Sequence, residues 1–141
     1  TIAGGVWGLL LAIWIGEFTQ LGAQAAVILL LLAAAVTVCG RAARSIGVAD
    51  PSSVVLDEIA ALPLVFLGMK RLDFATLLVG FLLFRLFDIA KPRIVAWAER
   101  LPGGWGVVAD DVVAAVLAAI VLHVCVWMDR AAGLEIFAAS F

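Results

Sequence analysis

Histidine is nearly absent from this chain: His123 is the only one. Chemistry that needs two well-placed histidines, one of them a nucleophile, is therefore excluded. Cysteine is scarce too, and Cys39 and Cys125 lie in apolar segments without C-x-x-C spacing, so both read as small buried hydrophobes rather than redox or metal groups. Neither is followed by the arginine of a cysteine-nucleophile phosphate loop. There is no D-x-D-x-T/V run for an aspartyl-phosphate enzyme, and no D-x₂-D-G-x₂-A-R signature of CDP-alcohol phosphotransferases. Charge is sparse at 14% of residues with a net charge of −2, which gives no case for nucleic acid. The chain has no Met at position 1 and no signal-peptide n-region; it starts inside an apolar run, so upstream residues are expected.

What is abundant is hydrocarbon. With 66% hydrophobic residues and a mean hydropathy of +1.22, the chain is far above the roughly 45–50% of soluble domains and reads as an integral membrane protein. Its 141 residues have room for only four to six spans of about 20 residues each, so residues 1–141 are expected to form one domain. The expected fold is an all-α, polytopic transmembrane bundle of about five spans, one of them short or broken, with a short interfacial helix. Apolar runs place the spans at about 2–15, 25–38, 54–67, 74–90 and 107–127. Gly40, Arg41 and Arg44 are expected to close the second. Asp50-Pro51 forms a turn before two serines suited to cap the third, which Pro63 should kink or break. Residues 93–100, with Trp97 among charges, fit the interfacial helix. His123 is expected to be packed or hydrogen-bonded, and the tail from Asp129 is uninformative.

Against that background the stretch Phe81 to Pro92 stands out, because Arg85, Asp88 and Lys91 interrupt or end a lipid-compatible segment. Ionisable groups at membrane depth cost roughly 2.5–3.5 kcal/mol each, so they face a bundle interior and work in pairs or on ions. Spacing by three puts this trio on one helical stripe ending at Pro92. Consecutive spans alternate across the bilayer, so Asp57 and Glu58, Asp88, and Asp110 and Asp111 should converge from three helices at one depth. The same end carries Arg41, Arg44, Lys91, Arg93 and Arg100, which makes it the cytoplasmic face by the positive-inside bias.

Five carboxylates in a partly dehydrated site call for compensation beyond Arg85 and Lys91. A hard divalent cation supplies it: Mg²⁺, as one or two ions, takes one or two carboxylates plus waters and phosphate oxygens. Such a site suits phosphoryl chemistry by metal-activated water, with a carboxylate as base. Backbone amides around Gly103 and Gly104 offer an anion nest beside the last helix, or form a plain loop. Asp57, Glu58, Asp110 and Asp111 also fit a second account, as acids at helix N-termini favoured by the macrodipole, whereas Asp88 at a helix C-terminal end does not. Two other classes stay open: a small cation- or proton-coupled transport element, which would spread its ionisable groups over successive depths, and a purely structural subunit.

Three blocks, Asp50-Pro51 through Asp57-Glu58, Phe84-Arg85-Leu86-Phe87-Asp88-Ile89-Ala90-Lys91-Pro92, and Gly103-Gly104-Trp105-Gly106-Val107-Val108-Ala109-Asp110-Asp111, resemble bacterial phosphatidylglycerophosphatase A in order and spacing. The family's N-terminal P-G-T-x-G-S-L motif is met by Gly5-Val6-Trp7-Gly8-Leu9-Leu10, which keeps the glycines without the proline or hydroxyls. The resemblance implies a Mg²⁺-dependent lipid phosphatase of the bacterial inner membrane, acting at the cytoplasmic face to convert phosphatidylglycerophosphate to phosphatidylglycerol. By it, Asp57, Glu58, Asp88, Asp110 and Asp111 would be the pool of metal ligands, and Arg85 and Lys91 would hold the phosphate.

Overall fold

Without water to satisfy its amides, an apolar chain must close its backbone hydrogen bonds within each segment, and helices do so. The protein, described by a computed structural model over residues 2–18, 20–46 and 55–137, is accordingly all-helical, with no strand among the described residues. Its elements are α1 (Ile2–Gly16), α2 (Leu21–Ile46), α3 (Leu56–Ala61), a 3-10 turn (Leu62–Phe66), α4 (Phe74–Ala90), α5 (Arg93–Ala98) and α6 (Gly104–Ala132). The turn expected at Asp50-Pro51 lies outside the described residues.

Chain direction alternates from segment to segment. Gly8 of α1 lies against Leu62 and the Glu58 carbonyl, and Gly16 against Leu72 and the Met69 carbonyl, so α1 runs alongside α3 and the 3-10 turn in the same sense. Gly40 meets Gly104 at one end of α2, while Gln24 reaches Gly68 at the other. Gly80 of α4 lies beside Leu122 of α6, and Lys91 beside Asp110, so these two helices are antiparallel.

Among the described residues two helices are long and apolar enough to cross a membrane by length and composition, α2 over Leu21–Ser45 and α6 over Gly104–Ala132, so the expected five spans are not confirmed. Only 17% of the apolar window of α2 is buried within the molecule, so most of that surface faces outward, as in a lipid-facing helix rather than a soluble core helix. With 15 and 17 residues, α1 and α4 rise about 22 and 25 Å at 1.5 Å per residue, short of a hydrocarbon core of about 30 Å. The third segment is broken as expected. Pro63 has no amide hydrogen to donate, and the chain tightens from α3 into the 3-10 turn around it.

The expected end of the second helix was wrong. Gly40 and Arg41 do not close it; the helix continues to Ile46, with Arg44 in its last turn. Gly40 serves a close crossing instead: a methyl group there would lie 3.0 Å from the Gly104 backbone, and one on Gly104 would collide with the Val36 carbonyl. Asp73 caps α4, accepting from the Thr76 amide at 2.9 Å and from the Thr76 hydroxyl at 2.8 Å.

The end of the bundle away from the acids is tied by polar side chains. Fully buried Gln24 accepts from the Gly68 amide at 2.8 Å and donates to the carbonyls of Phe18 at 2.9 Å and Met69 at 3.4 Å. His123 faces the Ala119 and Leu67 carbonyls at 2.8 and 3.1 Å, in keeping with a hydrogen-bonded role. Asp129, in the stretch where the sequence was silent, is buried and accepts from the Ile136 and Phe137 amides.

Gly104→Ala should lower stability by about 1–3 kcal/mol, because the clash is with backbone that cannot turn aside. Thermal unfolding in detergent reads this as a reduced midpoint, and an unchanged midpoint would contradict the close crossing. Gln24→Leu should cost about the same by leaving the Gly68 amide without its acceptor, measured in the same way.

Candidate active site

Three elements carry the acids to one end. Asp57 and Glu58 lie in the first turn of α3, Asp88 in the last turn of α4, and Asp110 and Asp111 in α6. Asp57, Asp110 and Asp111 are buried, at 6%, 7% and 5% exposure. Asp111 feels the charges of Asp57, Asp110, Asp88 and Glu58 together, so all five carboxylates belong to one electrostatic neighbourhood.

Two cations stitch this cluster. Arg85 Nη1 donates to Asp88 Oδ2 at 2.9 Å, one turn on, and to Glu58 Oε1 on α3 at 3.4 Å. Among the described residues its Nε and Nη2 make no hydrogen bond or ion pair, so donors remain available. Lys91 Nζ donates to Asp110 Oδ2 at 3.1 Å and pairs with Glu99 Oε2 at 3.0 Å. Burial pulls its pKa down, but the Glu99 and Asp110 hydrogen bonds outweigh that and hold the ammonium above the ordinary lysine value.

The expected stripe is therefore only partly realised. Arg85 and Asp88 pair at the i, i+3 spacing. Lys91 departs from the stripe because it is the C-cap of α4 at φ 40, ψ 66, a left-handed conformation uncommon outside glycine. Proline next in sequence disfavours the right-handed helical state for the residue before it, and the turn redirects the side chain toward α5 and α6.

The position of the α6 acids bears on the helix-dipole account. The helix begins at Gly104, not 107, and its first turn holds no acid. Asp110 and Asp111 thus lie in the second turn, beyond the reach of most of the N-terminal field. Among the described residues no hydrogen bond or ion pair reaches the Asp111 carboxylate, although four other acids surround it.

Gly104 is pressed between Val36 and Gly40, so it shapes the α2–α6 crossing. Gly103 is exposed, has φ 63, and precedes the first residue of α6. The glycines of the N-terminal motif also pack closely: Gly5 leaves room for Phe81, and Gly8 for Leu62 and the Glu58 carbonyl. Sequence reasoning missed two neighbours of the cluster. Glu99 lies in no helical register with Lys91, and only the left-handed turn joins them. Cys39, fully buried on α2, lies beside the backbone of Asp57; its apolar context pointed to burial but not to where.

A family model for phosphatidylglycerophosphatase A matches residues 1–126. The chain belongs to the phosphatidylglycerophosphatase A family. It is 33% identical over 98 residues to the phosphatidylglycerophosphatase A of Escherichia coli K12, covering 69% of this chain and 57% of that protein. It is 37% identical over 92 residues to the Haemophilus influenzae protein of the same name, covering 64% and 56%. A putative phosphatidylinositol-3-phosphatase of Bacteroides thetaiotaomicron is 40% identical over 81 residues, covering 56% of this chain and 51% of that one. The chain thus spans little more than half the length of the curated relatives it matches. No solved structure matches.

Of the charged residues in the three sequence blocks noted above, those within the described residues lie at one end of the bundle; Asp50 lies outside the described residues. Arg85→Gln should remove the cation that bridges Glu58 and Asp88 and lower stability by about 1–2 kcal/mol. That is less than the 3–5 kcal/mol for breaking a fully buried pair, because the site is partly open to water. Thermal unfolding of the variant in detergent checks the sign, and a gain in stability would mean that the pair is not holding α3 to α4.

Proposed function

We propose that this protein hydrolyses the terminal phosphomonoester of phosphatidylglycerophosphate, giving phosphatidylglycerol and phosphate at the cytoplasmic face of a bacterial inner membrane. The observation that carries the reading is the meeting of carboxylates from α3, α4 and α6 around Arg85 and Lys91 at one end of an apolar bundle. Family membership and the names of the relatives support the substrate.

The residues fit a hard cation. Among the described residues no group of three or more His, Cys, Asp or Glu stands as a ready-made metal cage. Mg²⁺ does not require one, since it keeps several waters and takes one or two carboxylates together with substrate phosphate. The donors at hand are oxygens, and Asp111 is a buried carboxylate with no cation of its own among the described residues. Asp57, Glu58, Asp88, Asp110 and Asp111 are the pool that would hold one or two Mg²⁺ ions. When bound, Mg²⁺ neutralises phosphate charge and favours water as a nucleophile.

The chain's own groups do the rest. The remaining donors of Arg85 and the third N–H of Lys91 would take the non-bridging phosphate oxygens. A carboxylate not engaged by a cation would accept a proton of the attacking water, the ester P–O bond to glycerol would break as water adds to phosphorus, and that proton would pass to the departing glycerol oxygen to give the alcohol. The exposed Gly103 amide at the head of α6 is a further donor for the phosphate, beside the Gly104 amide at the start of that helix. A transport pathway is less well supported. The carboxylates cluster at one end, and the ionisable group deeper in α6, His123, has both ring nitrogens turned to carbonyl oxygens.

Purified protein in detergent should release inorganic phosphate from phosphatidylglycerophosphate with Mg²⁺ and stop when a chelator is added. Asp88→Asn, folded as judged by its thermal midpoint, should lose at least about 100-fold in kcat. Folded wild-type protein that released nothing with either Mg²⁺ or Mn²⁺ would sink the phosphatase reading and make ion flux in sealed vesicles the next measurement.

A further inference from the structure

The geometry points to Glu99 as a positioning residue, which through its ion pair with Lys91 keeps that ammonium at the mouth of the site instead of surrendering it to Asp110. The inference rests on the phosphatase reading for its substrate, but its contacts stand independently. Lys91 Nζ has two carboxylate partners at almost equal distance, Glu99 at 3.0 Å and Asp110 at 3.1 Å. The two differ in surroundings: the Asp110 side chain is 9% exposed and the Glu99 side chain 46%. Glu99 therefore draws the ammonium outward and Asp110 draws it inward.

The backbone is built to present this arrangement. Lys91 sits at φ 40, and Pro92 then starts α5. The six residues of α5 fold the chain back so that Glu99, its C-cap, returns to Lys91. The turn after α5 is held close to α6, because a methyl group on Gly106 would strike the carbonyls of Leu101 and Glu99. Glu99 is thus fixed by its own backbone against the helix that carries Asp110.

An ammonium has three donors. Shared between Glu99 and Asp110, it keeps one for a phosphate oxygen and leaves Asp110 only partly neutralised, able to bind a cation. Without Glu99, Asp110 would be the one remaining carboxylate in contact, and Lys91 would close onto it. That would block a cation ligand and draw a donor away from the phosphate. Charge alone makes the opposite prediction: neutralising an acid beside an anion site should tighten anion binding.

The test uses Glu99→Gln in the full chain, with inorganic phosphate as probe in the presence of Mg²⁺, binding read from tryptophan fluorescence, and KM and kcat measured for phosphatidylglycerophosphate. Positioning predicts that phosphate binding weakens and KM rises, each by roughly tenfold, while kcat changes by less than about threefold. It also predicts that Glu99→Gln has no such effect on phosphate binding in a Lys91→Met background, where Arg85 still binds. Unchanged or tighter phosphate binding in Glu99→Gln would overturn the proposal, as would equal weakening with and without Lys91, which would mean that Glu99 only holds α5. Wild-type protein that binds phosphate but does not turn over the lipid would sink the substrate assignment, leaving the phosphate-binding comparison to decide the role of Glu99.

Discussion

Repulsion among carboxylates at the end of an apolar bundle is the constraint to which the other features answer. Two unit charges 4 Å apart interact by about 4 kcal/mol at an effective dielectric near 20, so five acids in one neighbourhood cannot be left to themselves. Arg85 and Lys91 each bridge two carboxylates carried by different elements, joining α3 to α4 and α5 to α6. The contacts that offset the repulsion are therefore also cross-links between segments. With Glu99 counted, these two cations serve a neighbourhood of six carboxylates.

Bringing the acids together depends on close backbone approach elsewhere. α2 and α6 cross where Gly40 faces Gly104, and α1 lies against α3 where Gly8 faces the Glu58 carbonyl. In a membrane, where burying apolar surface gives little advantage over lipid, packing of small residues is a main source of association, and these glycines provide it. The polar ties at the far end have a complementary effect. Gln24 and His123 take up the backbone groups of residues 67–69, so the broken segment bearing Asp57 and Glu58 is anchored at its distal end as well.

Features set by local chemistry were legible in the sequence. The bounds of α4 follow from the Asp73 cap and the Pro92 stop, and the break in the third segment follows from Pro63. The gathering of acids at one end follows from alternation of apolar runs, which counts ends without needing their lengths. What could not be read depends on distant partners. Gly40 resembles a helix terminator until Gly104 is seen against it, and Arg41 looks like a boundary although the helix continues past it to Ile46. The start of α6 was set too late because an apolar-run criterion discounts Gly104, Trp105 and Gly106, and that shift alters the electrostatic meaning of Asp110 and Asp111. Glu99 was missed because its pairing with Lys91 requires a left-handed residue and a helix of six residues folding back, neither of which has periodicity.

On the proposed reading, the charge balance also dictates an order of events. A phosphate entering the cluster unaccompanied would add negative charge to a site rich in carboxylates, and Arg85 and Lys91 each spend part of their donors on carboxylates. A divalent cation would ease both: it would take up negative charge and weaken the hold of the carboxylates on the two side chains, adding to the donors already open to phosphate oxygens. Cation and phosphate binding should then each strengthen the other by the same factor, as linkage requires of any two ligands coupled through one set of groups. On that reading, the acids that repel a lone phosphate would make the cluster selective for a phosphate accompanied by a cation.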